Sequence, residues 1–166
     1  MKSKNFMNYL FIAVLAWVFY MRAPSVLNHF KFQDKVAPEF SAFTLDGSEF
    51  VLSKHSKKLV VVFWATWCGP CEVELKRINT MIIEKRLQPS DVLAISSQED
   101  LQTVKLTVKK ENYLFNVAID PDGSIAKKYN VSATPTIVFI DQNYIIHWMT
   151  SGISPTLDYR ISSFLK

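Results

Sequence analysis

Cysteine is nearly absent: the 166 residues contain two, Cys68 and Cys71, spaced three apart. No other thiol exists to build a disulfide framework, so the spacing points to a redox-active pair rather than a structural staple. A zinc site would need two further ligands at suitable spacing. The three histidines, His29, His55 and His147, form no cluster and lie far from the pair in sequence. Excess basic charge is missing from the body of the chain as well. The formal net charge is +4, from 19 basic and 15 acidic residues. Setting aside Lys2, Lys4 and Arg22 leaves 16 basic against 15 acidic, which excludes a nucleic-acid footprint. There is no internal repeat and no sign of a second domain. With 49% apolar residues the chain is not a disordered one, and its length suits one domain with an appendage.

The appendage lies at the start. An apolar run from Phe6 to Met21, interrupted by Asn8, follows Lys2 and Lys4 and ends at Arg22 and Pro24. It is apolar on all faces, unlike an amphipathic globular helix. It is slightly shorter than the roughly 20 residues of an untilted bilayer span and longer than a typical signal-peptide core. Val14-Leu15-Ala16 is the nearest approach to a cleavage site, but Trp17 to Met21 continue the run, and Ala23 is followed by Pro24. The segment therefore reads as an uncleaved signal anchor over residues 1–23, followed by a tether over 24–37 and a folded domain over 38–166.

Within the domain, two short strands over 40–45 and 49–52 flank Asp46-Gly47, a hairpin signal. Leu59 to Trp64 is a continuous apolar run that reads as a buried central strand. A helix is predicted from Pro70 to about Arg86, with Leu75, Ile78, Met81 and Ile82 on its apolar face. A strand over 91–96, a helix over 99–110, a strand at 117–119 and a short helix over 124–129 follow. Thr136–Ile140 and Tyr144–Trp148 read as an antiparallel pair. Ser154-Pro155 reads as the cap and first position of a terminal helix. The order predicts an α/β fold, a mixed sheet with helices on both faces.

The motif with chemical content is Trp67-Cys68-Gly69-Pro70-Cys71, between the buried strand and the helix. At a helix start, free backbone N–H groups and the positive dipole end stabilise a thiolate, which suits Cys68 as nucleophile. Cys71, one turn on, is placed to resolve the mixed disulfide. Pro70 fits the first turn because its missing N–H would go unused. Trp67 reads as an exposed rim that contacts substrate and Trp64 as core.

Val60 to Cys71, VVVFWATWCGPC, resembles the active-site strand and turn of the thioredoxin superfamily. Ala133-Thr134-Pro135-Thr136 resembles its cis-proline loop. Lys35 to Phe40 is similar to the lead-in of the membrane-anchored TlpA/ResA/CcmG (DsbE) group. The resemblance implies a thioredoxin-like three-layer fold, preceded by the transmembrane or signal-anchor helix. It implies a cis Thr134–Pro135 bond packed on the two cysteines, with the Thr134 backbone and Gly69 and Pro70 of the motif meeting substrate. Thioredoxin's buried aspartate is replaced here by Val62, whereas Glu74 stands where the TlpA/ResA group carries a buried glutamate. Glu74 shares a helix face with Cys71 at i, i+3 and is a candidate to move its proton. CcmG-type members commonly carry Glu where this chain has Thr136.

The resemblance further implies a thiol–disulfide oxidoreductase on the extracytoplasmic side of a bacterial cytoplasmic membrane. It would be held there through residues 6–21 and act on protein disulfides. Electrons would come from a membrane thiol transporter of the DsbD/CcdA kind. No cofactor or metal is needed beyond the dithiol. A disulfide oxidant, or a non-catalytic copper-binding module using the same thiols, is the alternative. The Gly-Pro dipeptide, lacking a histidine that would stabilise the Cys68 thiolate, favours the reducing direction.

Overall fold

In the computed structural model, which describes residues 8–18, 20 and 32–166, the apolar run Leu59–Trp64 forms a strand whose six residues are all buried. Side chains alternate along a strand, so burying all six requires cover on both faces. Val60, Val62 and Trp64 pack into one cluster with Leu75, Ile78 and Met81, and with Leu157 and Ile161. Leu59, Val61 and Phe63 point the other way, among Phe40, Leu52, Ile125 and Tyr129.

Among the described residues, eight strands form the sheet: β1 (Lys35–Val36), β2 (Ser41–Thr44), β3 (Glu49–Val51), β4 (Leu59–Trp64), β5 (Val92–Ser97), β6 (Asn116–Asp120), β7 (Thr136–Ile140) and β8 (Ile145–Ser151). Their spatial order is β1-β8-β7-β4-β5-β6-β2-β3. β4, β5 and β6 run parallel, and every other pairing is antiparallel, which makes the mixed sheet expected from sequence. The helices are α1 (residues 8–18), α2 (Gly69–Ile83), α3 (Leu101–Glu111), α4 (Ser124–Lys128) and α5 (Leu157–Leu165). The clusters place α2 and α5 on one face of the sheet and α4 on the other.

Several boundaries differ from the sequence reading. The sheet begins inside the segment read as tether. β1 pairs with β8, Phe32 is buried against Tyr129, and the Tyr129 hydroxyl donates to the Pro38 carbonyl at 2.8 Å. Residues 24–31 of that segment lie outside the described residues. α2 ends at Ile83 rather than near Arg86, because Lys85 takes a left-handed conformation (φ 57) and Arg86 N–H bonds back to the Met81 carbonyl. No glycine marks that stop. β8 runs on to Ser151, opposite Thr136. α5 starts at Leu157, leaving Ser154 and Pro155 in the preceding turn, so Pro155 is not its first helical position.

The apolar run read as an anchor, 6–21, falls partly outside the described residues. Within it, 8–18 and Tyr20 are helical. Among the described residues, no helix is long and apolar enough to cross a membrane.

Asp120 joins the parallel strands to α4. It is buried, and its carboxylate accepts from the N–H groups of Ile125 and Ala126, at 3.1 and 2.9 Å, and from the Ser97 hydroxyl at 3.1 Å. These N–H groups lie at the start of α4 and have no intrahelical acceptor. Asp120→Ala strands them, so unfolding free energy should fall by about 2 kcal/mol. Urea denaturation checks this, and an unchanged midpoint would show that the carboxylate is dispensable.

Candidate active site

β4 ends at Trp64, and the chain turns through Ala65, Thr66 and Trp67 before α2 begins. Cys68 is the N-cap of α2, with φ −89 and ψ 98, and Pro70 sits in the first turn, as its missing N–H predicts. The Cys71 N–H donates to the Cys68 sulfur at 3.2 Å. Cys68 and Cys71 form a disulfide, with Cα atoms 5.2 Å apart. The sulfur of Cys68 therefore lies where the helix offers its unpaired N–H groups, the environment that stabilises a thiolate once the bond is reduced.

Both cysteines are enclosed. Cys68 is 6% exposed and Cys71 0%. Cys68 is the less deeply buried of the two, but it shows only a narrow edge. Trp67 is 79% exposed beside it, while Trp64 is buried under the turn. Gly69 has open space around its Cα, and Gly69 and Pro70 form the exposed lip of the disulfide.

The Thr134–Pro135 peptide bond is cis. Pro135 is buried, and its carbonyl accepts from Gly152 N–H at 2.7 Å. The Thr136 hydroxyl bonds to the Ala133 carbonyl at 2.6 Å and pairs with Ser151 at 2.7 Å. Thr134 and Trp67 line one cleft of about 480 Å³, so the proline loop and the cysteine turn face a common opening. A smaller cleft of about 100 Å³ reaches Cys68 from the α3 side, past Glu72, Glu111 and Tyr113. Burial pushes the Tyr113 phenol up to about 12, so it is neutral at ordinary pH.

Glu74 is fully buried one turn after Cys71. Its carboxylate accepts from the Arg77 guanidinium at 2.9 Å and from the backbone N–H of Ser154. Arg77 also donates to the Ser154 carbonyl and to Asp158, each at 2.7 Å. The partners form a clamp between α2, the turn before α5 and α5 itself. The i, i+3 spacing of Glu74 and Arg77 is visible in sequence, but the Ser154 and Asp158 ends of the clamp are not.

Glu99 is a site residue that the sequence reading missed. The reading began the third helix at Glu99; the structure gives the cap to Asp100, whose carboxylate accepts from Thr103 N–H at 2.9 Å. Glu99 instead reaches back to the cysteine turn. It accepts from the Thr66 N–H at 2.9 and 3.1 Å, from the Thr66 hydroxyl and from the Ser96 hydroxyl. Three donors on one carboxylate pin the residue two before Cys68. A run of two acids before a helix that needs one cap was the available signal. Among the described residues, no group of His, Cys, Asp and Glu is arranged to hold a metal.

Glu99→Ala should free the turn without touching a cysteine. Hydrogen exchange at the Thr66 amide should speed up by about tenfold, as expected for losing roughly 1.4 kcal/mol of local hydrogen bonding. Unchanged protection would mean that the rest of the turn holds itself.

Comparison with known proteins agrees with this geometry. The Redoxin family model matches residues 32–163. The thiol-disulfide oxidoreductase ResA of Bacillus thuringiensis subsp. konkukian is 36% identical over 110 residues, covering 66% of this chain and 64% of that protein. ResA of Geobacillus kaustophilus is 32% identical over 117 residues, 70% of this chain and 67% of the other. The chain thus spans slightly less than two thirds of the first of these relatives. A secreted Mycobacterium tuberculosis disulfide oxidoreductase, described as homologous to E. coli DsbE, superposes with a TM-score of 0.61 at 26% identity. That match covers 76% of this chain and 93% of the other. With Cys68 capping the helix after a buried strand, Cys71 bonded to it one turn on, a cis-proline loop lining the cleft beside Trp67, and a family match over residues 32–163, the chain belongs to the Redoxin family, among ResA-like thioredoxin-fold proteins.

Proposed function

We propose that the protein is a thiol–disulfide oxidoreductase that reduces protein disulfides outside the cytoplasm. The observation that carries this reading is the Cys68–Cys71 disulfide at the N-terminus of α2, whose neighbour Trp67 lines the same cleft as Thr134 of the cis Thr134–Pro135 loop. In the reduced enzyme, the Cys68 thiolate attacks one sulfur of a substrate disulfide. A mixed disulfide forms and one substrate thiolate leaves. Cys71 then gives up its proton and attacks the Cys68 sulfur, which restores the Cys68–Cys71 bond and releases the second substrate thiol. Two electrons pass to the substrate in each cycle.

Glu74 is assigned the Cys71 proton, on the strength of its burial one turn away on the same helix. Trp67, Gly69 and Pro70 form the surface that meets substrate, and Thr134 offers backbone for strand-like pairing. No metal or dissociable cofactor enters the cycle. A dithiol donor in the membrane, of the DsbD/CcdA kind, would return the two electrons. The apolar run 6–21, with no good cleavage site in or after it, supports a single-pass anchor that holds the domain on the extracytoplasmic, periplasmic side.

The Gly-Pro dipeptide supports the reducing direction. Stabilising the first thiolate is what makes an oxidant, and no histidine lies between the cysteines to add to the helix dipole. The potential should lie nearer the about −270 mV of thioredoxin than the about −120 mV of DsbA. Equilibration against glutathione measures it, and a disulfide reduced as readily as DsbA's would reverse the direction. Cys71→Ser should accumulate mixed disulfides with substrate through Cys68, and Cys68→Ser should not. Trapping by the Cys68→Ser protein alone would exchange the two roles.

A further inference from the structure

The cleft between Trp67 and Thr134 contains a residue held in an unusual way. Gln98 directly follows β5 with φ 60, a left-handed conformation uncommon outside glycine, asparagine and aspartate. Its backbone N–H is tied to the Asp120 carbonyl at 2.9 Å. Its side chain lies over Gly123, itself left-handed at φ 70. A Cβ on Gly123 would stand 3.1 Å from the Gln98 amide nitrogen and 3.2 Å from its Cγ. The missing side chain of one left-handed residue is thus the room for the side chain of another. Backbone held this way gathers at ligand sites, where the surrounding fold maintains it.

The chemistry of the cleft is mixed but uncharged overall. Asp122 and Lys127, both exposed, supply one charge of each sign at its rim. Trp67 and Val131 supply apolar wall, and Gln98 the uncharged hydrogen-bonding group. Trp64 lines it too, with a buried Nε1 that has no hydrogen-bond partner. The position is also informative. Trp67 precedes the attacking cysteine, and Thr134 offers the backbone edge on which a substrate strand would lie. Side chains of such a strand alternate, so a neighbour of the attacked sulfur meets the cleft.

We propose that this cleft is a specificity subsite. In it, Gln98 reads an uncharged hydrogen-bonding side chain, Gln, Asn or Thr, next to the substrate cysteine. The proposal rests on the thiol–disulfide exchange reading above. The Gln98 amide offers two donors and an acceptor, enough to match a carboxamide reciprocally. An aliphatic side chain leaves that amide unpaired, and a charged one meets a repelling rim charge for each attracting one.

The test uses the full chain, reduced, and disulfide-linked peptides that differ only in the residue after cysteine, Gln, Leu or Glu. The second-order rate constant of peptide reduction is the readout. The Gln peptide should be favoured over the Leu and Glu peptides by about tenfold, the scale of one net hydrogen bond. Gln98→Gly accepts the left-handed backbone without strain and should bring the ratio to about one. A variant that merely disturbs the fold lowers all rates together and leaves the ratio standing. A wild-type ratio near one, or a ratio that survives Gln98→Gly, overturns the subsite and leaves the exchange reading intact. A wild-type protein that reduces none of the peptides overturns the exchange reading and the subsite with it.

Discussion

A strand buried on both faces has to end somewhere, and the place where β4 ends determines the chemistry. Its six side chains are taken up by two cores, so its backbone is fixed in depth and in register between β5 and β7. The chain leaves this rigid strand through a short turn and enters α2 with Cys68 as the cap. A sulfur at that point meets N–H groups with no helical acceptor, which is the physical basis of a reactive thiolate. The positions of Cys71, one turn in and fully buried, and of Trp67, outside, follow from that one placement.

Two carboxylates then fasten the frame. Glu99 holds the turn from the β5 side through Thr66. Glu74 holds α2 to the turn before α5, through Ser154 and with Arg77. That turn stands next to Gly152, whose N–H meets the Pro135 carbonyl. The proline loop and the cysteine helix are therefore linked by a short run of named hydrogen bonds. Breaking one member of a buried ion pair costs more than the pair contributes, because the other charge is left without a partner in the interior. Substitution of Arg77 is for that reason a harsher change than its half-buried surface position suggests.

Much of this was legible in the sequence, for identifiable reasons. The strand Leu59–Trp64 and the helix after it were readable because both signals are local: a continuous apolar run, and an apolar face at helical spacing. The cysteine pair was readable because no other thiol competes with it. The cis bond at Pro135 was reachable only through resemblance, since no local propensity specifies it. What escaped were contacts between distant segments. Nothing near Glu99 points to Thr66, and nothing near Ser154 points to Glu74. The stop of α2 at Ile83 escaped because Lys85, just past it, took the left-handed conformation that usually announces itself as glycine. β1 escaped because a two-residue strand has no periodicity to read.

The central claim is that the two sulfurs, chemically identical in sequence, are made different by the helix that begins between them. Alkylation of the reduced protein across a range of pH, with each cysteine followed by mass, tests this directly. Cys68 should react first, with a midpoint below the about 8.5 of an ordinary thiol, while Cys71 stays unlabelled until the protein is unfolded. Equal labelling of the two, or labelling of Cys71 ahead of Cys68, would contradict the account.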